Sequence, residues 1–247
     1  MSPKILLQIE LVKLFRRSNV LFFFLFLYLF VTPVGRGIDM LKREELPVSS
    51  DVFMIIVGAF AIFGMLAMAL FMVNNTGNDF NENSYRKGIA NGLSKAGYFS
   101  GKLIFMLIIS GLILFFTFLV YFIFGFFSGN FSLHEMVRGV SLLSVFHQLV
   151  ALLYAGSWGL FMIMVFRNRT IGLVFFPFWM FTEIIVYVFS KAGYLWSLHG
   201  FFPGIAGYQL YTQPDFNLLQ LGVVIIWGTV FITAAWYGLE LREEKPA

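Results

Sequence analysis

The sequence contains no cysteine and few charged residues, and both features exclude some classes of protein and of functional site. Only 12% of the 247 residues are charged, against about 25% in a typical soluble domain. Hydrophobic residues make up 59%, and the mean hydropathy is +0.83. The lack of cysteine excludes disulfides, thiolate metal sites and cysteine nucleophiles. We therefore expect an integral membrane protein. We assign no metal ligands and no catalytic residues to its sequence.

Long apolar stretches predict an all-α integral membrane protein, with residues 1–247 forming a single transmembrane domain. A helix needs about 20 mostly apolar residues to cross a bilayer. Its backbone polar groups must be satisfied within the segment, which favours helices over open strands. Six spans are predicted, at residues 20–34, 53–73, 103–127, 140–166, 171–190 and 218–239.

The distribution of Lys and Arg predicts the orientation in the membrane. With a cytoplasmic N-terminus, twelve of the 17 basic residues fall on the inside, as the positive-inside rule requires. The twelve are Lys4, Lys13, Arg16, Arg17, Arg86, Lys87, Lys95, Lys102, Arg167, Arg169, Arg242 and Lys245, and the five outside are Arg36, Lys42, Arg43, Arg138 and Lys191. We expect a multi-pass protein of the bacterial cytoplasmic (inner) membrane with both termini in the cytoplasm. The net charge of +4 reports this orientation, and no nucleic-acid partner is expected.

Residues 3–18 are predicted to form an amphipathic helix at the membrane surface. Leu7, Leu11, Leu14 and Phe15 recur at helical spacing and form an apolar stripe, with charged residues on another face. Such a helix can lie in the interface with its basic groups toward anionic lipid headgroups. The alternative is a soluble segment that leads into the first span.

The loop at residues 74–102 is rich in polar and turn-forming residues. Asn74 to Gly77 is predicted to be a turn at the membrane exit. A short helix follows, capped by Asp79 or Asn81 and ended by Gly92, and a second short helix leads into the third span. This helix is predicted to pass through Glu82, Tyr85, Arg86 and Ile89, with Glu82 and Arg86 four residues apart and Tyr85 exposed. Such a helix can dock on a partner, or it can simply connect two spans.

This loop resembles the first cytoplasmic loop of ABC exporter permeases of the second type. The resemblance consists of an acid before an Arg-containing turn, a Leu-Ser-(Lys/Arg) step, two aromatics and a Gly-Lys. The matching residues are Glu82, Arg86, Leu93-Ser94-Lys95, Tyr98-Phe99 and Gly101-Lys102. The order of elements is also similar: an interfacial helix, six spans, this loop after the second span, and an outer segment at residues 191–217 before the last span.

The resemblance implies that the loop is a coupling helix for a separate ABC ATPase subunit. The implied coupling residues are Asp79, Glu82, Tyr85, Arg86, Leu93 and Ser94. ATP and Mg would be bound by that partner, and no cofactor is expected in this chain. The sequence has no Walker A loop at Gly101-Lys102, since Leu103 follows and Ala96 occupies the earlier glycine position. A homodimer, or a heterodimer with a related permease, is also implied.

Three polar residues inside predicted spans are candidates for a transport pathway. Glu183 is an acid well inside a span, where an ionisable group is expensive and by default functional. His147 and Gln148 lie within the fourth predicted span. The alternative for these two is interhelical hydrogen bonding, and for Glu183 a position near water or a protonated state.

These features predict a permease subunit that exports an apolar or amphiphilic substrate, such as a peptide antibiotic, lipid or drug, by alternating access. A secondary transporter or channel is the first alternative, although it would normally show midspan charges or broken helices in symmetric positions. An intramembrane protease is the second alternative. His147 and Ser157 are ten residues apart on one span, which is about 15 Å along a helix, so that pair cannot act together.

Overall fold

The computed structural model describes residues 8, 11–13, 20, 50–128, 142–191, 202–212 and 218–241, and no strand occurs among them. The seven helices that can be delimited are α1 (Ser50–Asn81), α2 (Ser84–Ala90), α3 (Lys95–Ser128), α4 (Leu142–Phe166), α5 (Arg169–Lys191), α6 (Pro203–Thr212) and α7 (Leu218–Glu240). The all-helical prediction is confirmed for this part of the chain.

Four of these helices are long and apolar enough to cross a membrane, as expected for an integral membrane protein. They contain the stretches Lys95–Leu119, Leu143–Phe166, Arg169–Phe189 and Leu218–Glu240, which overlap the last four predicted spans. The second predicted span, 53–73, lies within α1. The first, 20–34, falls outside the described residues apart from Val20, as does most of the predicted interfacial helix at 3–18. Of that helix, Gln8 and residues 11–13 are described, and they are helical.

Helix α4 lies at the centre of the bundle and contacts α1, α3, α5, α6 and α7. The buried share of the most apolar stretch is 67% in α4, 22% in α5 and 28% in α7. The outer sides of α5 and α7 instead expose large apolar side chains such as Phe178, Phe181 and Ile226. An apolar outer surface of this kind suits contact with lipid chains.

Small residues allow α1 and α4 to approach each other closely. A Cβ atom added to Gly159 would lie 2.5 Å from the carbonyl oxygen of Ala69, and one added to Gly156 would overlap Met68 and Met106. Glycine and alanine at a helix contact let two backbones meet, which is a common means of association between membrane helices. The pair α1 and α4 therefore forms the closely packed centre of the bundle.

The predicted turn at Asn74 to Gly77 is wrong, because α1 continues as a helix to Asn81. Asn74, Asn75, Thr76, Asn78 and Asp79 are all buried. Arg169 and Lys102 hydrogen-bond to Asn78 and Asp79, and such tertiary contacts outweigh the turn preference of an Asn-rich stretch.

Candidate functional site

The connection between α1 and α3 is compact and has well-defined ends. Asn83 adopts a left-handed conformation (φ 55°) between α1 and α2. Gly92 ends α2 with φ 85°. Its N–H donates to Ile89 O at 2.9 Å, and the N–H of Leu93 donates to Gly88 O at 3.0 Å. These two bonds form a Schellman motif, whose left-handed residue favours glycine. The prediction that Gly92 ends the helix is confirmed.

Two other predictions for this segment are wrong. Neither Asp79 nor Asn81 caps α2, because both still belong to α1 and Asn83 occupies the cap position without a side-chain hydrogen bond. No separate second helix precedes the third span, since α3 runs without a break from Lys95. Ser94 caps it by accepting a hydrogen bond from the N–H of Gly97 at 3.0 Å.

Tyr85 is buried within its own chain, so the prediction of an exposed aromatic anchor is wrong. Its side chain is only 3% exposed. The ring lies 4.7 Å from the ring of Tyr98 on α3 and 5.4 Å from the ring of Phe80 on α1, both edge-to-face. Aromatic pairs in this geometry stabilise by about 0.5–1.5 kcal/mol beyond their buried area. Tyr85 therefore fixes α2 to the ends of α1 and α3.

The opposite side of the connection is open to solvent. Glu82 lies in the turn before α2, and Arg86 and Lys87 lie on α2; all three are exposed. Leu93 is half-buried and packs against the core. Of the implied coupling residues, Glu82, Arg86 and Ser94 are accessible to a partner, whereas Asp79 and Tyr85 are buried.

Beneath Tyr85 lies a group of three charged residues that we call the basal ion cluster: Asp79, Lys102 and Lys13. The Oδ2 atom of Asp79 is 2.6 Å from Nζ of Lys102 and 2.8 Å from Nζ of Lys13. The side chains of Asp79 and Lys102 are fully buried, and that of Lys13 is 12% exposed. The hydroxyl of Tyr98 also donates to Asp79, at 3.4 Å. The cluster joins the N-terminal segment to α1 and α3.

The electrostatics of the basal ion cluster favour a charged Asp79. Burial raises the pKa of its carboxyl, but the two ammonium groups and their hydrogen bonds outweigh that effect and lower the pKa from 3.8 to about 2. Asp79 is thus a structural counter-charge inside the bundle, and its position is unsuited to direct contact with a partner protein.

A second contact fixes the end of α1 to the start of α5. Nη1 of Arg169 donates to Oδ1 of Asn78 at 3.1 Å, and the guanidinium of Arg167 lies 5.4 Å from the centre of the Phe80 ring. A Cβ atom on Gly77 would lie 3.1 Å from Cβ of Arg169. The short turn between α4 and α5 therefore packs on the same helix end that carries the basal ion cluster.

Glu183 lies in the other half of the bundle, 14 residues along α5 from Arg169, which is about 21 Å by helical rise. It is 3% exposed. Its Oε2 atom accepts a hydrogen bond from the N–H of Ile205 at 2.9 Å, in the first turn of α6. A carboxylate stabilises a helix N-terminus in this way. A Cβ atom on Gly204 would overlap the carboxylate, so glycine is needed where the two meet.

A cavity of about 210 Å³ lies beside Glu183, between α1, α5 and α6. Its walls are formed largely by apolar side chains, among them Ile62, Met180 and Ile205. Ile184 also lines the cavity and is 41% exposed on the outer side of α5. The cavity therefore reaches the lipid-facing surface near that residue.

His147 and Gln148 are buried on α4 and lie apart from the cavity lining. Nε2 of Gln148 donates to the carbonyl oxygen of Tyr211 at 3.4 Å. The hydroxyl of Tyr211 is hydrogen-bonded to Oγ1 of Thr117 at 2.9 Å. Gln148 thus makes an interhelical hydrogen bond between α4 and α6, which is the alternative role that the sequence suggested for it.

Sequence reasoning missed the burial of α6 and the pairing of Lys102 with Asp79. Within the predicted outer segment at 191–217, Ile205, Ala206, Leu210 and Tyr211 of α6 are buried. Two glycines and an alanine in Gly204-Ile205-Ala206-Gly207 were the available signal, because small residues allow close packing. For the ion pair, the signal was a lysine at the head of an apolar span.

Comparison with family models, curated proteins and solved structures finds no match for the chain. The resemblance to ABC exporter permeases therefore depends on the loop residues and the order of elements alone.

Proposed function

We propose that this chain is the membrane permease subunit of an ATP-driven ABC exporter and that α2 couples it to a separate ATPase subunit. The observation that carries the proposal is the two-sided construction of the α1–α3 connection. One side is fixed to two long helices through Tyr85, and the other presents Glu82, Arg86 and Lys87 to solvent. A segment built in this way can bind a partner and pass that partner's movement to the bundle.

The rigid attachment of α2 matters for this role. A loop held only by its two chain ends would absorb a displacement instead of transmitting it. Here the rings of Phe80, Tyr85 and Tyr98 form one packed group, and the basal ion cluster lies directly beside it, since Tyr98 also contacts Asp79. ATP and Mg would bind the partner, and the exported substrate would be apolar or amphiphilic. The subunit would act as a homodimer or with a related permease.

The test is co-expression of this chain with ABC ATPase subunits from the same organism, followed by purification of any complex that forms. We expect the double reversal Glu82→Arg with Arg86→Glu to release the ATPase or to abolish substrate stimulation of its hydrolysis. Removing one member of a desolvated interface charge pair costs about 2–5 kcal/mol. Glu240→Lys is the matched control, because Glu240 is exposed at the end of α7, near Lys95 at the start of α3. Unchanged co-purification and stimulation in the double variant would contradict the proposal.

A secondary transporter is the second candidate, and the buried carboxylate of Glu183 beside a cavity is the observation that favours it. Ionisable groups within membrane spans often mark ion or substrate pathways. Reconstituted vesicles distinguish the two candidates. Transport by the purified chain alone, driven by a proton or sodium gradient and independent of ATP, would establish the second and exclude the first.

A further inference from the structure

We infer that the cavity between α1, α5 and α6 binds the ammonium group of a cationic amphiphile, with Glu183 as its counter-charge and the apolar walls around its alkyl chain. The ligand class is a lipophilic amine that enters from the lipid. The role of the cavity as a substrate site rests on the proposed transport function. Binding of the amine to the cavity is measured separately, on the purified chain without an ATPase.

The first step of the argument is the incomplete satisfaction of the carboxylate. Glu183 is 3% exposed, and Oε2 accepts the N–H of Ile205. Its second oxygen, Oε1, accepts no hydrogen bond within the described part of the chain. Capping of α6 therefore accounts for one oxygen of Glu183 and leaves the other for a ligand. A buried carboxylate with one oxygen left without a hydrogen bond is costly, so a bound cation would stabilise it.

The second step is the charge of the surroundings. Among the described residues that line the cavity, none is a lysine or an arginine. Arg169 is about 21 Å away along α5, where it donates to Asn78. A charge-assisted hydrogen bond from an ammonium group is about twice as strong as one between neutral groups. The cavity is thus matched to a cation better than to an alcohol or a carboxylic acid.

The third step is the size and shape of the cavity. Its volume of about 210 Å³ exceeds that of an apolar protein cavity of about 150 Å³ that can hold benzene. The half-exposed Ile184 marks the side facing lipid. An alkyl chain longer than the cavity can therefore continue past Ile184 into the membrane while its ammonium group stays at Glu183.

The experiment measures equilibrium binding of dodecylamine to the purified chain in nanodiscs, with dodecanol and dodecanoate as probes of the same length. We expect dodecylamine to bind at least tenfold more tightly than dodecanol, which corresponds to about 1.4 kcal/mol. Glu183→Gln keeps an oxygen that can accept from Ile205 but removes the charge, so it should abolish this preference. Glu240→Gln is the control for loss of an acid outside the cavity, and it should leave the preference intact.

A second variant tests the cavity without touching the carboxylate. Ile62→Trp replaces an isoleucine side chain of α1 with a bulky indole that fills part of the cavity. It should lower the affinity for dodecylamine and for dodecanol alike, by tenfold or more. Equal affinity of the wild-type chain for dodecylamine and dodecanol would overturn the inference, as would an unchanged preference in Glu183→Gln. If Glu183→Gln does not fold, the wild-type preference together with Ile62→Trp still decides the question. If the wild-type chain does not bind dodecylamine but still co-purifies with the ATPase, the cavity is not an amine site, and the proposed transport function is unaffected.

Discussion

Replacing Asp79 by Asn removes the negative charge that both ammonium groups of the basal ion cluster contact. Both lysines reach the same oxygen, at 2.6 and 2.8 Å, so their nitrogens lie within about 5.4 Å of each other. Breaking a buried ion pair by removing one partner costs about 3–5 kcal/mol. We expect Asp79→Asn to lower the free energy of unfolding by that amount.

Lys102→Met is the matched perturbation, and the structure predicts a smaller effect for it. Asp79 then keeps its ion pair with Lys13 and its contact with Tyr98. The loss should be about 1.5–3 kcal/mol, the value of one hydrogen bond to a charged group. The double variant Asp79→Asn with Lys102→Met no longer contains the buried ammonium group of Lys102. Its loss of unfolding free energy should therefore be well below the sum of the two single losses.

Unfolding of the purified chain in SDS–detergent mixtures measures these free energies. The order Asp79→Asn, then the double variant, then Lys102→Met should run from less to more stable. The reasoning is refuted if Asp79→Asn is no less stable than Lys102→Met, because Asp79 would then not be the shared counter-charge.

The same carboxyl gives a pH dependence whose sign follows from its lowered pKa. The pKa is about 2 in the folded chain against 3.8 as the ordinary value, so the charged form stabilises the fold. At about 1.4 kcal/mol for each pH unit, this contributes about 2.5 kcal/mol, which is fully present above about pH 5 and lost as the pH falls toward 2. The stability difference between wild type and Asp79→Asn should shrink over that range, and a constant difference would contradict this assignment.

Three further predictions concern topology and packing. A cysteine at position 84 in the otherwise cysteine-free chain should not react with an impermeant thiol reagent in intact cells, because the loop is predicted to be cytoplasmic, and it should react after lysis. Labelling in intact cells would show that the orientation is the opposite of the predicted one. Tyr85→Ala should cost about 3–5 kcal/mol in the same unfolding assay, whereas Tyr85→Phe keeps the ring packing and should cost far less; equal losses would show that the ring contacts are not what matters. Gly159→Ala should cost about 1–3 kcal/mol because its methyl meets the Ala69 carbonyl, and Gly222→Ala, which has open space, serves as the control; similar values for the two would contradict the close α1–α4 contact.

The sequence predicted the long helices well because apolar length alone determines them. Residues 103–127, 171–190 and 218–239 lie within α3, α5 and α7. The observed ends of α5 and α7 lie within two residues of the predictions, whereas α3 begins eight residues earlier, at Lys95. Gly92 was also predicted correctly, since a left-handed helix end depends on one residue and its neighbours. Local signals of this kind do not require knowledge of the packed bundle.

The errors arose where a partner distant in sequence decides the structure. Asn74 to Asp79 has the composition of a turn, but Lys102 and Arg169 supply contacts that keep it helical. Tyr85 was expected at the surface because its neighbours Glu82 and Arg86 are polar, and its burial depends on Phe80 and Tyr98. Glu183 was recognised as unusual, but neither its bond to Ile205 nor the cavity can be deduced from composition.

The buried polar end of α1 also has a consequence for biosynthesis. When a ribosome has completed Asn74 to Asp79, Lys102 has yet to be made, and Arg169 follows 91 residues after Asn78. Until both have been synthesised, this stretch lacks two of the side chains that pair with it in the finished protein. A chain truncated before residue 169 would lack the hydrogen bond from Arg169 to Asn78. The end of α1 is completed late, although it is synthesised early.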